Sequence, residues 1–223
     1  MAVKLPLRAA MKVAIYDLDK TLVRKATFTP FLAFAARRLA PWRLLFLPVW
    51  IGLMIGYRAG FYDRTTLKTM GMKLMLGQQE LSQLAKVGHA FAARHISSAG
   101  WIPEVTALVE ADRRQGARLV IATAAFEFYA RAFARMLDID TVIATWWDGR
   151  QIPGGNCYGE EKRRRVLEAL GDTGHDTTLR FVSDSFADAP MLNEAQEAIF
   201  ITSSARKANR AASRGWAVIA PQG

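Results

Sequence analysis

The chain has 223 residues, 51% of them hydrophobic, and a formal net charge of +10. That balance excludes a disordered or fibrous chain, and the length suffices for one α/β domain with a modest insertion. The single cysteine, Cys157, excludes an internal disulfide and fits a reducing compartment, and the basic start MAVKLPLRAAMK lacks the apolar stretch of a secretory signal.

The first predicted element is a buried strand, KVAIYDLD. It ends on Asp17 and Asp19, one residue apart, with Thr21 two residues on. Like charges that close together at the end of a buried strand call for a cation between them. The segment from Arg24 to Pro103 follows and differs from the rest. It carries 11 Lys/Arg against 2 Asp/Glu, whereas the remainder carries 19 against 18. So local an excess points to an anionic partner: nucleic acid, a membrane surface or an acidic substrate.

The same segment reads as all-helical. Thr29-Pro30 offers an N-cap followed by proline at the first helical position, and Pro41 ends that helix. Asp63 caps another running to Gly77, and Gln78 to Ser98 makes one more. LLFLPVWIGLMIGY, Leu44 to Tyr57, carries no charge. As a helix it would span about 21 Å, short of a bilayer core of roughly 30 Å, and Pro48 interrupts it. Its apolar residues cover every face rather than one stripe. Two readings stay open: a helix buried inside the insertion or in a dimer interface, or one dipping into a single leaflet. For the second, Arg37, Arg38, Arg43 and Arg58 flank the run, and Trp42, Trp50, Tyr57, Phe61 and Tyr62 are candidates for the headgroup level. The basic balance favours the second. Nucleic acid is not expected, because the long apolar run interrupts the basic segment.

Beyond the insertion the pattern alternates. A helix over Pro103 to Gln115, with Gly116 past its end, precedes the strand Arg118 to Ala124. A helix over Phe126 to Leu137 precedes VIATWWDGRQIPGGNCYG, which reads as a β-hairpin around Asp148-Gly149. A helix over Glu161 to Leu170, the strand Leu179 to Ser185, a helix over Asp188 to Ala195, and the strands AIFITSS and WAVIA complete the chain. Such alternation predicts a parallel α/β sheet. Ligands of such sheets lie beyond the carboxyl ends of the strands, where Asp17, Asp19, Thr123 and Asp184 fall.

The residue types at those ends suit phosphoryl chemistry. One aspartate side chain and the backbone carbonyl two residues on can share a Mg²⁺. A carboxylate there can attack phosphorus to form an aspartyl-phosphate, while the second protonates the leaving oxygen and later activates water. The Thr123 hydroxyl and the N–H groups of the following turn, beginning at Ala124, can hold phosphate oxygens. Lys162, in GEEKRRR, brings a positive charge at a helix start, and its three arginine neighbours read as a solvated face. Asp184 offers a second metal ligand and Asp188 a support for metal waters or the lysine. His89, His95 and His175 show no metal-ligand spacing, and Cys157 has no obvious base.

These motifs resemble those of the haloacid dehalogenase superfamily of phosphohydrolases. DLDKT, IATA, the lysine of GEEK and SDSFAD occur in that family's order, spanning Asp17 to Asp188. The resemblance implies a Rossmann-like parallel sheet from residues 1–23 and 104–223, with an α-helical cap inserted at 24–103, as in phosphoserine phosphatase. It implies Asp17 as nucleophile and Asp19 as general acid/base. Thr123, Ala124 and Lys162 would bind phosphate, and Asp17, Asp19 and Asp184 would hold Mg²⁺ with Asp188 in support. Lys20 and Ser183 stand where the family often has glycine. FTPFLAF, the apolar basic cap, NCYGEEK and SDSFADAPML are similar to the C-type phosphatidylglycerophosphate phosphatases and their phosphoserine-phosphatase-like bacterial relatives. The expectation is a Mg²⁺-dependent phosphatase of a membrane lipid phosphate such as phosphatidylglycerophosphate, peripheral on the cytoplasmic face of the plasma membrane. Two alternatives are a phosphatase of a soluble phosphomonoester such as phosphoserine, and a non-catalytic membrane-surface protein on the same fold.

Overall fold

A computed structural model describes residues 11–171 and 177–222. The first ten residues, and with them most of the basic N-terminal stretch, lie outside the described residues, as does His175. Strands β1 (Met11–Tyr16), β2 (Arg118–Phe126), β3 (Thr141–Thr145), β4 (Thr177–Ser183), β5 (Glu197–Ile201) and β6 (Ala217–Ile219) form one sheet. The order is β3-β2-β1-β4-β5-β6 and every pairing is parallel, as the alternating pattern predicts. Val13, Ala14, Ile15 and Tyr16 of β1 are fully buried on both faces, which is why the central strand reads as a continuous apolar run. The chain runs outward through β2 and β3, then returns to β4 beside β1. The order therefore reverses between β1 and β4, the place where such sheets open a crevice.

Helices α1 (Phe28–Leu39), α2 (Leu47–Arg58), α3 (Arg64–Met75) and α4 (Leu81–Ala99) lie between β1 and α5 (Pro103–Arg114). The chain leaves and returns through one neck. Val23 bridges antiparallel to Trp101, the Arg24 N–H bonds Gly100 O at 3.2 Å, and the Ile102 N–H bonds Leu22 O at 2.9 Å. The inserted helices share a core with the sheet layer through an aromatic cluster: Phe31 and Phe91 pack against Tyr129 of α6 (Glu127–Met136), and Phe91 against Phe133. Gly88 of α4 lets that contact close, since a Cβ there would lie 2.9 Å from Phe128 O.

Several local readings change. Helix α1 is capped at Thr27, two residues before the expected Thr29, where the Asp19 carboxylate takes the Thr27 N–H at 2.9 Å. Pro30 then sits third in the helix, where its missing N–H is still one of the unpaired first four. Asp63 caps α3 as expected, accepting the Thr66 N–H at 2.7 Å. The helix expected from Gln78 starts at Leu81. The 14-residue apolar run is divided into a 3₁₀ turn (Pro41–Phe46) and α2, with Pro48 in the first turn of α2. No described helix is long and apolar enough to cross a membrane. The expected hairpin around Asp148-Gly149 is absent. Its first half is β3, paired parallel with β2, and residues 146–159 are a loop. Side chains replace the ladder there: Asp148 accepts the Arg150 and Gln151 N–H groups at 2.7 Å, and Arg165 donates to the carbonyls of Ala144, Gly154 and Gly155.

Candidate functional site

The crevice at the carboxyl ends of β1, β2 and β4 holds a cavity of about 250 Å³. Asp17, Asp19, Thr123, Ala124, Lys162, Asp184 and Asp188 all line it, so the structure brings together every residue singled out in the sequence. Asp17 follows β1, its N–H still bonded to Val182 O of β4 at 2.9 Å. A tight turn carries the chain from Asp17 to Val23, and Lys20 at its tip has φ 58°. That left-handed conformation explains why glycine suits the position; here a lysine takes it and adds a cation to the cavity wall. Thr21 is buried, and its hydroxyl accepts the Asp184 N–H at 3.0 Å. The threonine of DxDxT thus ties the loop after β1 to the loop after β4.

Strand β2 does not stop near Thr123 as its composition suggests. It continues to Phe126 through an irregularity in which Ala122 faces Ile143 and Phe126 faces Thr145. Thr123, Ala124 and Ala125 stand opposite the single Ala144, two residues too many for the register, and the bulge sets Thr123 and Ala124 in the cavity wall, a device common beside active sites. The Thr123 oxygen accepts the Ala125 N–H at 3.0 Å, leaving its own hydrogen free to donate. Lys162 stands in the first turn of α7 (Glu160–Leu170) and is 1% exposed. It donates to Asp17 Oδ1 at 2.9 Å and Asp188 Oδ2 at 2.7 Å. Its neighbours behave differently: Arg163 and Arg164 pair with glutamates on the surface, and Arg165 braces the loop before α7. Asp188 begins α8 (Ala189–Glu194) and also accepts the Ser183 hydroxyl at 2.7 Å. The serine in place of the common glycine therefore orients the carboxylate that holds Lys162.

Burial pushes the Asp17 carboxyl up to about 7; Lys162 opposes this, and the charges of Asp188 and Asp184 add to it. Burial likewise raises Asp184 to about 6, with Asp188 adding and Lys20 and Lys207 opposing. Burial works against the Lys162 charge, but Asp17 and Asp188 outweigh it and hold it charged. Cys157 is buried with its thiol pushed up to about 11, which makes it inert.

A hard divalent cation fits this donor set. Asp17 and Asp184 offer carboxylates, the charge of Asp184 raising Asp17, Asp19 offers a backbone carbonyl, and Asp188 Oδ1 is a buried acceptor without a partner. Among the described residues no three acidic, His or Cys side chains converge into a closed cage. An open site of one or two carboxylates completed by water and phosphate is how Mg²⁺ is usually held.

Three wall residues carried no sequence signal of their own: Arg64 and Tyr158, which stack at 4.5 Å, and Lys207. Lys207 lies on α9 (Ala205–Ala212), which follows β5, so the strand-end logic that found Asp184 also reaches it. Arg64 is the first residue of α3 and enters the cavity only through tertiary packing.

A family profile of haloacid dehalogenase-like hydrolases matches residues 14–193. The protein CicA of Caulobacter vibrioides is 29% identical over 196 residues, covering 76% of this chain and 82% of that protein. A protein of unknown function from Bordetella pertussis Tohama I superposes with a TM-score of 0.80 at 25% identity, over 94% of this chain and 98% of that one. A phosphoserine phosphohydrolase-like protein from Francisella tularensis superposes at 0.59 with 14% identity, over 94% and 95% of the two chains, which is a likeness of fold. The profile covers most of the chain, and the cavity lies at its sheet's switch point: the chain belongs to the haloacid dehalogenase-like hydrolase family.

Proposed function

We propose that the protein is a Mg²⁺-dependent phosphomonoester hydrolase working through an aspartyl-phosphate, with a membrane lipid phosphate as substrate. The observation that carries the chemistry is the meeting of Asp17, Asp19, Thr123, Lys162 and Asp184 in one cavity at the ends of three strands. In this reading the unbridged oxygen of Asp17 forms a bond to phosphorus as the ester oxygen departs with a proton from Asp19. Asp19 then takes a proton from water as that water attacks phosphorus, releasing phosphate and restoring Asp17. Thr123, the Ala124 N–H and the Lys162 charge hold the phosphoryl oxygens while this happens. Mg²⁺ bound by Asp17, Asp184 and the Asp19 carbonyl would offset the charge of the phosphate.

The lipid reading rests on an exposed apolar band. Leu45 and Phe61 are 81% exposed, Ile55 63% and Trp42 58%, and Val49 and Ile51 extend the band along α2. Arg37, Arg38 and Arg58 beside it suit an anionic leaflet, and monotopic anchors combine the same two features. This would seat the protein on the cytoplasmic face of the plasma membrane. The fold likeness to a phosphoserine phosphohydrolase-like protein favours a second reading, a soluble phosphomonoester.

The test is phosphate release with Mg²⁺ from phosphatidylglycerophosphate in mixed micelles and from phosphoserine, alongside Asp17→Asn. Release that favours the lipid and disappears in Asp17→Asn or with EDTA is expected. Release by Asp17→Asn at the wild-type rate would refute the nucleophile. Turnover of phosphoserine alone would refute the lipid.

A further inference from the structure

Beside the strand-end cavity lies a second one of about 350 Å³, walled by α1, α2 and α3. The two share Asp19, Ala26, Arg64 and Ala124, so the space at the strand ends continues beneath the helices. The walls are carbon-rich, with Phe28, Trp50 and Tyr57, yet three cations enter them: Arg58, Arg64 and Lys68. Among the described residues none of the three forms a salt bridge with a carboxylate. Lys68 is 3% exposed and meets only neutral oxygens, Ala124 O at 2.5 Å and Asn156 Oδ1 at 2.9 Å, with Phe126 at 4.2 Å. A buried ammonium without a counter-ion is costly. Burial, aided by Arg64 and opposed more weakly by Asp19 and Cys157, pulls Lys68 down to about 7, so an arriving anion would restore its charge. Trp50 lines the same cavity, packed on Gly71, and its buried Nε1 has no acceptor. Among the described residues of the wall the one acid is Asp19, already engaged by the Thr27 N–H.

We propose that this cavity receives the alcohol part of the substrate, and that Lys68, Arg64 and Arg58 bind a second anionic group on it, in a site with no acid set aside for an ammonium. The inference rests on the phosphomonoesterase reading and narrows its substrate class. The leaving alcohol is a net anion, bearing a phosphodiester or a carboxylate, and is not a zwitterion.

The experiment compares kcat/KM within two pairs. The lipid pair is phosphatidylglycerophosphate, whose leaving alcohol carries a phosphodiester, and phosphatidic acid, whose leaving alcohol is neutral, both in mixed micelles. The soluble pair is 3-phosphoglycerate and glycerol 3-phosphate, with phosphoserine added for its ammonium. The anionic member of one pair is expected to exceed its neutral partner by at least about tenfold, the scale of one charge-assisted hydrogen bond, and that pair identifies the source as lipid or soluble. Phosphoserine is expected below 3-phosphoglycerate. Lys68→Met should cut the anionic-to-neutral ratio about fivefold or more, chiefly through KM. Arg58→Gln, at an exposed position where folding is not at risk, should cut it about twofold. Equal turnover within both pairs, or a ratio unmoved by both variants, would overturn the proposal while leaving the phosphatase intact. No release from any of the five substrates would overturn the phosphatase reading and this one with it.

Discussion

Replacing Lys162 by Met removes the one cation between Asp17 and Asp188 and strands two buried carboxylates. Breaking a buried pair from one side typically costs about 3–5 kcal/mol, and here the cost should depend on pH. Asp17 titrates near 7 in the fold against an ordinary 3.8, so between those values the folded state binds the extra proton. Stability from this group is therefore highest at low pH and is lost as pH rises toward and through 7. From pH 6 to pH 8 the wild type should lose about 1.4 kcal/mol through Asp17. Without Lys162 the folded value moves higher still, and the loss over the same interval grows toward a limit of about 2.7 kcal/mol, one full proton over two pH units. Urea denaturation of both proteins in EDTA, every half unit from pH 6 to 8, measures the difference, and contributions from groups away from the Asp17–Lys162–Asp188 cluster cancel. Curves for variant and wild type that run parallel in pH would refute the argument that Lys162 sets the charge state of Asp17.

Other outcomes follow from the same geometry. Asp19→Asn should lower phosphate release by about 10²-fold or more but keep α1 in place, because the amide oxygen still accepts the Thr27 N–H. Asp19→Ala should add a stability loss of about 1 kcal/mol, the usual value of a lost cap, read by thermal melting. Gly88→Ala should destabilise by about 1–2 kcal/mol, since the clash with Phe128 O outweighs the gain in helix propensity; urea denaturation measures it. Leu45→Glu with Ile55→Glu should reduce pelleting with anionic vesicles several-fold while leaving the melting temperature unchanged, because both side chains face solvent.

The strand-end residues were legible because the parallel sheet collects them. A strand that ends in Asp17 or Asp184 must present it at the same edge, whatever lies between in sequence. Lys162 was legible against its arginine neighbours by its place directly after GEE at a helix start, the place of the lysine in the family motif that the sequence resembles. What sequence concealed depends on contacts between distant segments. Thr29-Pro30 read as the helix start, whereas Asp19 supplies from outside the helix an acceptor for the Thr27 N–H. The bulge at Thr123 to Ala125 has no compositional mark: IATA reads as the plain end of a strand, and nothing in the sequence shows that pairing resumes at Phe126. The loop after β3 carries a genuine turn at Asp148, but hairpin pairing needs a second strand, and Arg165 satisfies the carbonyls that would have formed it. Arg64 and Lys68 share α3 with ordinary surface residues, and only the packing of α3 against β2 and the loop before α7 makes them face a cavity.

The hydrogen bond between Asp19 and the Thr27 N–H makes one carboxylate serve two parts of the molecule. Asp19 belongs to the loop after β1 and Thr27 to the start of the inserted helices, so the placement of α1 and the orientation of a cavity-wall carboxylate are fixed by one bond of 2.9 Å. A substitution that displaces α1 is therefore felt at Asp19 without touching the cavity itself.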